Sequence, residues 1–223
     1  MISGKYKAPR HALKLVLLSL SGSLLTLSAH AREIDPAWVV AQLAQPAPSQ
    51  TAFVEVRESP MLKAPLQVSG RYHRPDASTL VREVQQPYSE TSTIANGQVR
   101  VQREGKRDRV FALSRAPELA GLQDSFAALL GGQLAVLERD FRLQAEGSQS
   151  QWRLVLTPHT ARVAARLQDL TLHGSGKDLR CIQTRPVKGA IQRTLIGGTA
   201  QAAISEQVND GQALQALCTG AAS

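Results

Sequence analysis

Apolar and polar residues alternate with a period of two over much of the chain, a pattern that predicts strands. Leu66, Val68, Gly70 and Tyr72 alternate with Gln67, Ser69, Arg71 and His73, so a strand here carries one apolar and one polar face. Val99 and Val101 alternate with Gln98, Arg100 and Gln102 directly after Asn96-Gly97, a dipeptide that favours a two-residue hairpin turn. Further strands are expected over 52–57, 79–84, 109–113, 152–156, 167–172, 179–184 and 190–196. Consecutive strands joined by short turns imply an antiparallel meander.

A helical period interrupts the strands in a few places. Asp35-Pro36 reads as a cap with proline at the first helical position, and Val39, Val40 and Leu43 follow at helical spacing. Leu119, Leu122, Phe126, Leu129 and Leu130 form an apolar stripe opened by Pro117 and stopped by Gly131-Gly132. Leu134, Leu137 and Phe141 suggest another short turn, and Thr157-Pro158 suggests a cap starting a short helix through Val163. The sum is a mainly β fold with some α: a curved antiparallel sheet with helices on one face.

The N-terminus changes the compartment. Lys5, Lys7, Arg10 and Lys14 precede a Leu/Val-rich run from Leu15 to Leu27 that closes on Ala29-His30-Ala31. The run is short of the roughly 20 residues a membrane span needs, so residues 1–31 read as a signal peptide cleaved after Ala31, with an uncleaved anchor as the alternative. Arg32, not cysteine, follows the cut, which excludes lipid anchoring there and makes the periplasm the expected location. Of 26 basic and 18 acidic residues, the leader holds four basic ones, so the mature chain has 22 against 18, a net charge of +4. Arg100, Arg103, Lys106, Arg107 and Arg109 are interleaved with Glu104 and Asp108, the pattern of a solvated edge, and nucleic acid is not an expected partner.

Cys181 and Cys218 both lie in the exported part, where disulfides persist, and their spacing fits no metal motif. Pairing would staple the Ala/Gly-rich tail, residues 197–223, to the body; the alternative is a buried Cys181 and a free Cys218. Catalytic motifs are missing: there is no G-x-S-x-G, no G-x-G-x-x-G, no phosphate loop and no C-x-x-C. His73, His159 and His173 are scattered, and Ser69, Ser125 and Ser175 have no adjacent base. Neither a metal, a cofactor nor catalysis is called for.

A set of short segments in one order then carries a resemblance: Phe53-Val54-Glu55, Ser69-Gly70-Arg71-Tyr72-His73-Arg74-Pro75, Gln86-Pro87-Tyr88, Asn96-Gly97, Leu129-Leu130-Gly131-Gly132, Phe141, Trp152 to Pro158, and Leu179-Arg180. Over roughly residues 36 to 196 the chain resembles the LolA-like periplasmic outer-membrane lipoprotein carriers. The resemblance implies an open, unclosed antiparallel half-barrel with helices as a lid over its concave face. It places a carrier domain at 32–196 and implies an acylated lipoprotein or lipid-linked cargo, an inner-membrane donor complex and an outer-membrane acceptor. Arg74 matches the family arginine that holds the lid by hydrogen bonds to backbone carbonyls, here expected around Leu129 to Gly132 or in the short helix after Pro158. Ser78 stands where the carriers usually have a large aromatic residue and Glu55 where glutamine is common, which places the chain in a divergent branch.

Physical chemistry agrees with a carrier. Each exposed methylene costs about 0.8 kcal/mol, so a shuttle for acyl chains needs an apolar concavity and no reactive group. Val68, Tyr72, Leu80, Val99, Leu154 and Leu156 are the expected cargo-binding residues, because each lies on a strand whose alternate positions are polar. Arg74 is in phase with Leu66, Val68 and Tyr72, so as a lid latch it has to find acceptors on an apolar face. The protein is expected to act as a monomer. A lipid-sensing module with the same fold is the alternative, and a lipid or glycan ester hydrolase built from distant residues is a further one.

Overall fold

The chain divides into two units, Met1–His30 and Ala31–Ser223, and the fold belongs to the second. The computed structural model describes Met1 and residues 34–57, 65–115 and 127–220; the leader and the stretch Pro117 to Phe126 lie outside them. An antiparallel meander of six strands comes first: β1 (Ser49–Arg57), β2 (Leu66–Arg74), β3 (Leu80–Gln86), β4 (Glu90–Ala95), β5 (Gln98–Arg103) and β6 (Arg109–Ala112). A second meander holds β7 (Phe141–Ser148), β8 (Gln151–Pro158), β9 (Leu167–Ser175), β10 (Asp178–Pro186) and β11 (Gln192–Ile196). Pairing of β1 with β11 joins them into one 11-stranded sheet whose edges, β6 and β7, are not paired to each other. The sheet is open.

Local chemistry explains the elements. Asn96 and Gly97 have φ of 51° and 69°, the positive values that a tight β4–β5 hairpin requires. α1 (Pro36–Leu43) starts where the Asp35 carboxylate accepts from the Trp38 amide at 2.7 Å, with Pro36 in the first turn. Its Val39, Val40 and Leu43 are each at most 1% exposed, and burying such a side chain stabilises by about 1.5–3 kcal/mol. Gly174 lies opposite Trp152, whose ring stands 2.1 Å from where a Cβ would be, so only glycine admits the indole.

The connection from β6 to β7 has to travel from one edge of the sheet to the other. Its helical residues 127–130 and α2 (Leu134–Leu137) put Ala128, Leu129 and Leu137 into the inner-face cluster that holds Phe53, Val68, Leu154 and Leu172. Together with α1 they form the lid.

The opposite, outer face has its own cluster. Val54, Cys181 and Leu195 of β1, β10 and β11 pack against Ala200 and Ala203 of α4 (Gly197–Ser205) and Leu214 and Cys218 of α5 (Gly211–Thr219). The small side chains of α4 let it lie close to β1. α5 is capped by Asp210, which accepts from the amides of Gln212 and Ala213 at 2.9 and 2.8 Å. Cys181 and Cys218 are joined, with an S–S distance of 2.03 Å.

Three expectations change. Helices cover both faces, because the tail folds back as α4 and α5 on the outer one. Phe141 opens β7 and pairs with Pro158; it shares helical spacing with Leu134 and Leu137 because all three are buried in or against one cluster, not because they share a helix. Thr157 and Pro158 end β8, where a missing amide is tolerated, and α3 (Ala161–Ala164) starts later. Thr160 precedes α3, and its hydroxyl donates to Asp140 Oδ1 at 2.9 Å instead of capping the helix.

Candidate binding cavity

Between the lid and the inner face lies a cavity of about 610 Å³. Leu43 of α1 and Leu130 of the helical segment form its lid side; Tyr72, Leu80, Leu179, Ile182 and Ile196 form its floor and walls. The floor is apolar because these positions occupy the inner phase of β2, β3, β10 and β11. Polar groups complete the lining, among them Ser49, Gln50, Thr51, Arg74, Asp178 and Arg180. A mainly apolar interior with polar groups beside it suits an amphiphile.

The expected cargo residues divide into two groups. Tyr72 and Leu80 line the cavity, whereas Val68, Leu154 and Leu156, at 0 to 1% exposure, are packed into the core beneath the lid. Val99 is also buried, at 2%, in register with Ile94 and Phe111 far along the first meander.

Arg74 is the last residue of β2 and only 8% exposed. Pro75 follows, and Asp76 fixes the next turn by accepting from the Ser78 amide and hydroxyl, both at 2.8 Å. Those bonds hold the Asp76 carboxyl below its ordinary pKa. The Arg74 guanidinium donates from Nη1 to the carbonyl of Gln45 at 2.8 Å. Gln45 in turn donates its amide to the Leu130 carbonyl at 2.9 Å. The acceptor is therefore neither around Leu129 to Gly132 nor after Pro158: Leu130 is already engaged by Gln45, whose own carbonyl lies just past the Ala44 C-cap of α1. Arg74 ties both parts of the lid to β2 through one main-chain peptide.

A second charged group lies on the inner face. Arg82 Nη2 donates to Glu55 Oε2 at 2.9 Å, Thr194 donates to Glu55 Oε1 at 3.3 Å, and the Arg82 guanidinium lies 4.5 Å from the centre of the Phe53 ring. Burial opposes the Arg82 charge, but Glu55 and then Tyr72 more than compensate and hold its pKa above the usual value. Glu55→Ala would leave that guanidinium without its carboxylate, and we expect a loss of about 1–3 kcal/mol in urea unfolding. An unchanged midpoint would show the pair to be neutral.

On the outer face His173 is half-buried on β9, and burial first, then Arg153 and Arg193, hold its imidazole below its ordinary pKa. The unfolded chain therefore takes up this proton first, at its ordinary value near 6.5. The contribution is complete above that value and is lost as pH falls through it towards the folded pKa. The urea midpoint should accordingly drop between about pH 7 and pH 5, and His173→Gln should flatten that drop; an identical drop in the variant would remove His173 as its cause.

The other histidines make simple contacts: His73 with Glu83 at 2.9 Å and His159 with the Glu138 carbonyl at 3.1 Å. Among the described residues no three His, Cys, Asp or Glu side chains gather as metal ligands, and no helix is long and apolar enough to cross a membrane.

Residues 28–221 match the family described as outer membrane lipoprotein carrier protein LolA-like, a span that includes α4 and α5. A crystal structure of a LolA superfamily protein from Nitrosomonas europaea is similar at 16% identity and a TM-score of 0.36, over 71% of this chain and 74% of that one. No curated protein matches the sequence.

Proposed function

The chain belongs to the LolA-like family of outer membrane lipoprotein carriers, and on that premise we propose that it carries the acyl chains of a lipoprotein or lipid-linked cargo through the periplasm. The leader is removed after Ala31, and the mature protein, a monomer, takes its cargo from an inner-membrane donor complex and delivers it to an outer-membrane acceptor. No chemistry is done on the cargo. The observation that carries the reading is the partly apolar cavity of about 610 Å³ beneath a lid whose two parts meet at Gln45, itself held by Arg74. A cavity closed by few polar bonds can be opened by a ligand that brings in apolar surface, since each methylene removed from water gains about 0.8 kcal/mol.

Protein exported and purified from the periplasm should begin at Arg32 and yield acyl-bearing molecules to mass spectrometry after solvent extraction. Protein that carries no acyl compound and takes none up from vesicles would overturn the proposal.

A further inference from the structure

Arg74 and Arg82 both lie on the inner face, yet they are satisfied very differently. Arg82 has a carboxylate, Glu55, at 2.9 Å. Arg74 is 8% exposed and lines the cavity, but among the described residues its one hydrogen bond is to Gln45, and no carboxylate lies within ion-pair distance. A guanidinium carries five N–H donors and a full charge. Among the described residues the other donors have no protein partner, and a buried cation without a counter-ion is a costly arrangement that a ligand can relieve. Asp178, the carboxylate that lines the same cavity, is exposed at the start of β10 and makes no ion pair with Arg74.

We propose that the cavity takes a single-chain amphiphile with an anionic head, a carboxylate or a phosphate, whose oxygens accept from the free donors of Arg74. The chain would lie along Leu80, Leu179, Ile182 and Ile196. At about 610 Å³ the space is that of a site for one small ligand. This rests on the acyl-carrier reading and narrows it to one class of ligand.

Calorimetric titration of the mature protein with dodecanoate, dodecyl phosphate and 1-dodecanol tests it. Both anions should bind at least about tenfold tighter than the alcohol, the effect of one charge-assisted hydrogen bond, and the tighter of the two names the head group. In Arg74→Leu the ratio of anion to alcohol should fall to about one, with part of it retained in Arg74→Lys. Because any change in the lid acts on all three ligands alike, the ratio isolates the head group. Leu80→Trp, which fills the cavity, should weaken all three; unchanged binding there would place the ligands elsewhere and overturn the inference. Equal affinities in the wild type, or a ratio that survives Arg74→Leu, would overturn the anionic head while acyl carriage stands. Failure of all three ligands to bind the folded wild type would overturn the carrier reading as well.

Discussion

Replacing Arg74 with leucine is expected to leave the fold standing and to slow the handover of a cargo with an uncharged acyl anchor by about tenfold to a hundredfold. The Arg74 side chain holds the Gln45 carbonyl at 2.8 Å, and the Gln45 amide holds Leu130 at 2.9 Å, so one strand end fixes α1 and the helical segment over the cavity. A hydrogen bond from a charged donor contributes about 1.5–3 kcal/mol. On the proposed carrier reading, that energy favours the closed lid in the empty protein and is recovered when cargo leaves. Leucine forfeits it and adds apolar surface to the cavity, so both changes favour retention. Leucine also removes the cost of burying a charge that has no counter-ion, which offsets the lost hydrogen bond, so the melting temperature should change little. Transfer of a fluorescent, uncharged lipopeptide from loaded protein to acceptor vesicles reads the effect directly. Wild-type transfer by Arg74→Leu would reduce Arg74 to a residue that merely ends β2.

The Arg74–Gln45 contact shows where a sequence stops speaking. Arg74 was legible because a charge in the phase of Leu66, Val68 and Tyr72 violates the strand's own pattern. Its partner was not, because Gln45 acts through its main chain, and a carbonyl has no side-chain signature. Glu55 and Arg82 break the same pattern, in phase with Phe53 and with Leu80 and Val84, and the signal for that pair was present in the sequence. β2 and β5 were readable as alternations because one face of each is more exposed than the other. β7 was not: Ala145 and Gly147 weaken its apolar phase, and Phe141 mimics helical spacing with Leu137. Which apolar side chains of the inner face stay open is a non-local property. Val68, Leu154 and Leu156 share the face of Tyr72 and Leu80, but the first three are buried in the core cluster while the other two border the cavity.

The tail supplies the other large effect. Replacing Cys181 and Cys218 together with alanine should lower the unfolding free energy by about 4 kcal/mol, the loop-closure contribution expected for a separation of 37 residues. Both half-cystines are fully buried in the outer-face cluster with Val54, Leu195, Ala200, Ala203 and Leu214. The bond fastens α5 to β10, and α4, between them in the chain, is held against β1. Apart from the first turn of α4, whose Gly197, Gly198 and Thr199 reach its lining, the cavity lies on the other face, so the two properties should largely separate: the variant should unfold at lower urea yet, at low temperature, bind dodecanoate with nearly wild-type affinity. Reduction of the wild type should reach the same state only once denaturant exposes the sulfurs, because neither is accessible in the folded protein. Urea midpoints of wild type and double variant that coincide would show that packing of Leu214 and its neighbours alone holds the tail. A loss of ligand binding equal to the loss of stability would instead show the two faces of the sheet to be one cooperative unit, with α4 and α5 supporting the carrier cavity through β1, β11 and β10.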